Sequence, residues 1–129
     1  MAIGNTVWVV DDDEMNLKMA EFILKQKQYS VVKLESGIEC LRLLKKETPD
    51  LILLDIQMPL MNGIKTLEAI RETEETKDIP VIFLTNKNDR ESVYKVSALH
   101  PEGYLLKTME PVKIVKAIDD FFEKQKWNF

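Results

Sequence analysis

Five short apolar runs punctuate the chain: Val7–Val10, Ser30–Leu34, Leu51–Leu54, Val81–Leu84 and Tyr104–Leu106. All but the second are continuously apolar rather than alternating, the pattern of strands covered on both faces by helices. Between them the hydrophobic residues recur at helical spacing. Met15, Met19, Phe22 and Ile23 fall at i, i+4, i+7 and i+8, and Ile114, Ile118, Phe121 and Phe122 repeat that spacing, giving the apolar stripes of two amphipathic helices. Ile38, Leu41 and Leu44 mark a helix after the second strand, and Ile64, Leu67 and Ile70 another after the third. The segment from Asp89 to Leu99 has the weakest stripe, with only Val93, Val96 and Leu99 in phase. Strand and helix alternate five times, which predicts a parallel α/β sheet with right-handed crossovers.

Parallel sheets of this kind bind ligands beyond the carboxyl ends of their strands, where the strand order reverses. Those ends carry most of the chemistry in the chain. The first run is followed by Asp11, Asp12, Asp13 and Glu14, the third by Asp55, the fourth by Thr85 and the fifth by Lys107. Asp13 and Glu14 have a structural use, since acids cap a helix N-terminus and favour its first turn. A cap does not need Asp11 and Asp12 as well, so these two, Asp55, Thr85 and Lys107 are the candidate site.

Composition narrows what such a site could do. A length of 129 residues suits one domain, and the net charge of −4 lacks the basic excess of a nucleic-acid footprint. No apolar run is long enough to span a bilayer, and Met1–Gly4 is too short for a signal peptide, so a cytoplasmic domain without membrane insertion is expected. The single cysteine, Cys40, and the single histidine, His100, exclude an internal disulfide, a Cys-based zinc site and His-pair metal motifs. Carboxylates about 4 Å apart repel by roughly 4 kcal/mol at an effective dielectric of 20, so convergent acids call for protons or a cation. With only oxygen donors, the cation expected is Mg²⁺ or Mn²⁺. A hydroxyl and an ammonium opposite such an ion suit phosphoryl oxygens, and a carboxylate is a competent phosphoryl acceptor.

These residues carry a family resemblance. Val9-Val10-Asp11-Asp12-Asp13 resembles the acidic start of the receiver domains of two-component response regulators, and Leu54-Asp55-Ile56-Gln57-Met58-Pro59-Leu60-Met61-Asn62-Gly63 resembles their phosphoacceptor segment. Pro80–Thr85 and Tyr104–Lys107 are similar to the later hydroxyl and lysine motifs. Asp12, Asp55, Thr85 and Lys107 follow one another at 43, 30 and 22 residues, as in that family, and the likeness covers essentially residues 1–129. The resemblance implies a flavodoxin-like fold of five parallel strands in order 2-1-3-4-5 with five helices. It implies phosphorylation of Asp55 by a sensor histidine kinase or histidine phosphotransfer protein, with Asp12 a direct Mg²⁺ ligand, Asp11 acting through water and the Gln57 backbone carbonyl completing the set. Thr85 and Lys107 would hold phosphoryl oxygens, and Tyr104 would change rotamer with activation. The domain would be a self-phosphorylating, self-dephosphorylating switch rather than an enzyme for another substrate. Its output face would run from Asp89 to Lys126, over the fourth helix, fifth strand and fifth helix. No residues follow for an output domain, so a separate protein, or onward phosphotransfer, is the expected target of a monomer or phosphorylation-linked dimer.

Three features depart from that pattern. Thr108 stands where relatives have a proline after the lysine, so this loop either carries a costly non-proline cis bond, about 2.5–4 kcal/mol, or is shaped differently. Asn86 is bulkier than the residue usual after the hydroxyl, implying a narrower approach, and Gln57 and Lys87 occupy positions that tune phosphoaspartate lifetime. Two rivals use the same residues. Asp11-Asp12-Asp13 also reads as the Asp-x-Asp of a haloacid dehalogenase-type phosphohydrolase with Asp11 as nucleophile, but that family needs a later acidic pair for the metal and a larger core, and Asp119-Asp120 falls in the final helix. A flavodoxin-like nucleotide binder would need a small-residue phosphate loop where this chain has four acids. Cys40, Met58 and Met61 read as packing or loop residues, and His100, before Pro101, as a surface residue.

Overall fold

A computed structural model describes residues 4–87 and 90–127. The chain runs β1 (Thr6–Val10), α1 (Glu14–Lys25), β2 (Ser30–Leu34), α2 (Gly37–Leu43), β3 (Leu51–Leu54), α3 (Gly63–Glu72), β4 (Val81–Thr85), α4 (Arg90–Ser97), β5 (Gly103–Leu106) and α5 (Pro111–Lys126). All strand pairs are parallel, in the order β2-β1-β3-β4-β5. The apolar runs match these strands to within a residue at each end. Asp89, where the sequence would begin the fourth helix, lies outside the described residues.

Two hydrophobic layers sandwich the sheet. Trp8, Val10, Ile52, Leu54, Val81 and Phe83 face α2, α3 and Val96 of α4, while Val7, Val9, Leu51, Leu53 and Ile82 face α1 and α5. Alternate residues of one strand feed opposite layers because side chains point to either face with a period of two. This is why the central strands had to be apolar throughout.

The helices agree with their sequence stripes unevenly. α5 buries Ile114, Ile118, Phe121 and Phe122 as spaced, and α3 buries Leu67 and Ile70. In α2, Cys40 is fully buried while Ile38 is exposed. α1 departs furthest from the sequence reading: its buried residues are Leu17, Ala20 and Leu24, whereas Met15, Met19 and Phe22 are 70, 56 and 63% exposed. The helix has two apolar faces. The narrower one, with Ala20 at its centre, allows the close approach that packing on the sheet demands.

Candidate acidic phosphoryl site

The register of the sheet assembles the rim. Val10 pairs with Leu54, so Asp11 and Asp55 leave adjacent strands side by side, and the Asp55 amide donates to the Val10 carbonyl at 3.0 Å. Thr85 pairs with Leu106, and the Lys107 amide donates to the Thr85 carbonyl at 2.9 Å. Four residues separated by up to 96 positions thus share one edge because parallel strands end together. Asp13 leaves this group: its carboxylate accepts from the Met15 amide at 2.9 Å and the Asn16 amide at 3.4 Å, capping α1, and Glu14 follows in the first turn.

Asp11 and Asp55 are buried at 4 and 5% exposure, and Asp12 is exposed at the mouth. Ligand atoms of these three carboxylates lie within 4.8 Å of one another. Lys107 Nζ sits 2.6 Å from Asp11 Oδ2 and 3.2 Å from Asp55 Oδ2. Asp11 Oδ1 accepts from the Asp13 amide at 2.9 Å, but the buried Asp55 Oδ1 has no hydrogen-bond partner among the described residues. A buried carboxylate oxygen without a donor is costly, by about 1–3 kcal/mol or more for a charged group. The pocket therefore holds three acids, one ammonium and one bare acceptor, a donor set of hard oxygens suited to Mg²⁺ or Mn²⁺.

Burial pushes the Asp11 carboxyl up from its ordinary value, against the Lys107 and Asp13 hydrogen bonds and the Lys107 charge, with the Asp55 charge adding to the rise. Burial alone would lower Lys107, yet its hydrogen bond with Asp11 and the charges of Asp55 and Asp11 outweigh it and hold the ammonium above the usual lysine range. Lys107 is thus a fixed cation. It reaches both acids with Thr108 as the next residue. No peptide bond among the described residues is cis, so Lys107–Thr108 is trans, and the Met109 amide closes the turn onto the Leu106 carbonyl at 3.0 Å. Of the two possibilities the sequence left for this loop, the differently shaped one is observed.

Thr85 is fully buried and its hydroxyl accepts from the Lys87 amide at 3.2 Å. Tyr104 is half-buried, its ring 6.0 Å from that of Phe83, and its hydroxyl donates to the Lys87 carbonyl. One residue, Lys87, thereby links through its amide and its carbonyl the two residues singled out as switch elements. Gln57 and Asn86 are exposed beside the site.

Two contributions escaped the sequence reading. Gly63 donates its amide to the Ile56 carbonyl at 2.8 Å, and a Cβ there would collide with the Asp55 carbonyl oxygen. Only glycine lets α3 start against the Asp55–Ile56 backbone, and the Asn62-Gly63 pair is the sequence signal. Leu60 is 99% exposed with φ +68°, and the Met61 amide donates to the Pro59 carbonyl at 2.7 Å across it, a three-residue turn in a strained form. No hydrophobic pattern foretells a leucine held out at such a turn.

A family profile described as the response regulator receiver domain matches residues 7–119. The chain belongs to that family. The polar-differentiation response regulator DivK of Brucella ovis is 30% identical over 119 residues, covering 90% of this chain and 94% of DivK. The structure of the chemotaxis protein CheY4 of Vibrio cholerae superposes with a TM-score of 0.84 at 28% identity, covering 92% of this chain and 98% of CheY4. The Mn²⁺-bound form of the response regulator Rcp1 is similar at a TM-score of 0.81 and 25% identity, over 92% of this chain and 94% of Rcp1. The receiver domain described here is thus a CheY- and DivK-like component of two-component signalling, with an acidic pocket of Asp11, Asp12 and Asp55 suited to a divalent ion and to aspartyl phosphorylation. No helix among the described residues is long and apolar enough to cross a membrane.

Proposed function

We propose that residues 1–129 act as one receiver domain that accepts a phosphoryl group on Asp55 from a sensor histidine kinase or a histidine phosphotransfer protein, in a reaction dependent on Mg²⁺ or Mn²⁺. The observation that carries this reading is the Asp55 carboxylate itself: buried, bonded on one oxygen to Lys107 and bare on the other. Asp11, the nucleophile of the hydrolase alternative, has both oxygens engaged by Lys107 and the Asp13 amide. Asp12, Asp55 and the Gln57 carbonyl would hold the ion directly and Asp11 through water. When bound, the ion supplies charge neutralisation for the acids and the incoming phosphoryl oxygens.

The chain's own residues do the rest. An Asp55 oxygen forms the new P–O bond as the P–N bond to the donor imidazole breaks, and the imidazole departs with the electron pair and takes up a proton. Lys107 turns from the carboxylates to a phosphoryl oxygen, and the Thr85 hydroxyl donates to another. Because the Thr85 hydroxyl also holds the Lys87 amide, its movement carries the Lys87 backbone, whose carbonyl is the partner of Tyr104. This biases an existing inactive/active equilibrium. Slow attack of water on the phosphoaspartate resets the switch.

The readout in this proposal is the α4–β5–α5 face, where Val93 and Tyr94 are exposed, meeting a downstream protein in the cytoplasm as a monomer or phosphorylation-linked dimer, with no nucleic-acid or membrane partner. The test is incubation with acetyl phosphate and Mg²⁺ followed by peptide mapping by mass spectrometry. The adduct is expected on Asp55 and absent in Asp55→Asn. Asp12→Ala is expected to weaken Mg²⁺ titration without changing the circular dichroism of the fold. An adduct on Asp11 would establish the hydrolase chemistry instead, and no adduct on either residue would refute phosphoryl acceptance.

A further inference from the structure

Arg71, in the last turn of α3, directs its guanidinium at backbone carbonyls. Nε donates to Leu99 at 3.0 Å, Nη1 to Lys77 at 3.0 Å and Ile79 at 2.7 Å, and Nη2 to His100 at 3.3 Å. Lys77 and Ile79 belong to the connection entering β4. Leu99 and His100 form the turn that ends α4, where the Leu99 and His100 amides donate to the Val96 and Ser97 carbonyls and His100 takes φ +53°. The last carbonyls of a helix lack intrahelical partners. A guanidinium presents its donors in a fixed fork and stays charged at every physiological pH, so it can serve several such acceptors at once. Through one side chain, α3, the turn before β4 and the far end of α4 become a single hydrogen-bonded body.

The near end of α4 is coupled differently. Lys87, three residues before the helix begins at Arg90, has its amide on the Thr85 hydroxyl and its carbonyl on the Tyr104 hydroxyl. Between its ends, α4 buries only Ser92 and Val96. A helix with so little core burial has few contacts of its own to fix its direction, so its direction is set by how its ends are held.

We propose that Arg71 is the pivot of α4: it fixes the C-terminal end of that helix to α3, so that any displacement of the Lys87 peptide swings the N-terminal end while the turn at Leu99–His100 stays in place. The first half concerns the resting protein alone; the second rests on phosphorylation of Asp55 as proposed above.

Hydrogen exchange of the full chain, read at individual amides, tests both halves. In the resting protein, Arg71→Met is expected to speed exchange at Leu99 and His100 about ten-fold or more, since each hydrogen bond to a charged donor contributes at least that factor. Arg71→Lys, which keeps the charge but not the fork, is expected to fall between Met and wild type. The central β3 amides of Ile52–Leu54 and the Mg²⁺ titration should not move. Unchanged exchange at Leu99 and His100 in Arg71→Met, or an equal rise throughout the sheet, would overturn the pivot. With acetyl phosphate and Mg²⁺, the wild-type response is expected at Arg90–Val93 and not at Leu99–His100, and in Arg71→Met it should spread to both. A wild-type response centred on Leu99–His100 would also overturn the proposal. Absence of an Asp55 adduct would instead refute the phosphorylation reading, and the resting-state comparison of the three proteins would still decide whether Arg71 anchors the helix.

Discussion

β3 and α4 differ sharply in how they are held. Leu51–Leu54 are all buried at 0–1% exposure, with paired strands on both sides and helices above and below. α4, by contrast, buries only Ser92 and Val96 and leaves Val93 and Tyr94 41 and 80% exposed, and the edge strand β5 that follows it is half-buried throughout. Asp55, the proposed acceptor, issues from the first region, and the surface proposed to report its state is the second. A phosphoryl site needs carboxylates and an ammonium fixed to within fractions of an ångström, whereas a reporter must have two arrangements close in free energy. Burial supplies the first property and scarcity of core contacts the second.

The largest expected effect that would break this contrast is on stability. Leu54→Ala should cost about 2–5 kcal/mol by leaving a cavity beneath the site, while Tyr94→Ser should stay within about 0.5 kcal/mol. Urea titration of the two variants measures both, and a comparable loss for Tyr94→Ser would show that α4 is not the loosely held region. A smaller effect comes from the turn at Leu60. Replacing this leucine by glycine removes a left-handed penalty without losing any burial, so Leu60→Gly should gain about 1 kcal/mol. An unchanged or lowered melting temperature would show that the turn is not strained.

The charge lock at the rim sharpens the contrast by pH. Because the folded-state pKa of Lys107 is raised, its stabilisation is complete below the unfolded value, about 10.4, and is lost as pH rises through the higher folded value. The difference in melting temperature between wild type and Lys107→Met should therefore persist through neutral pH and shrink only in strongly alkaline solution. A gap that closed near pH 7 would contradict a permanently charged Lys107. The smallest effect concerns Cys40, whose thiol burial pushes up to about 12. Thiol reagents should modify it only as fast as the native state opens, and rapid labelling at neutral pH would show that the α2 layer is looser than the sheet it covers.

Much of the site was legible because chemistry at strand ends needs no knowledge of packing. Asp11, Asp12, Asp55, Thr85 and Lys107 each follow an apolar run, and any parallel sheet brings such positions to one rim. Asp13 was legible as a cap for the same local reason. Arg71 was not, because nothing local marks an arginine whose acceptors lie 6–29 residues away. Gly63 was half-legible: a turn could be read from Asn62-Gly63, but not the Asp55 carbonyl that excludes a side chain there.

By itself the sequence determined the alternation of strand and helix, the strands that must be covered on both faces and the set of polar groups that meet at their ends. Periodicity and turn chemistry act over a few residues, so a linear reading captures them. Only the tertiary structure decided which of two apolar faces α1 turns inward, that Lys107 reaches Asp11 and Asp55 across a trans bond to Thr108, and that the end of α4 is carried by a side chain of α3. Each of these is a choice among locally equivalent options, settled by the volume and the hydrogen-bond acceptors that distant segments happen to offer.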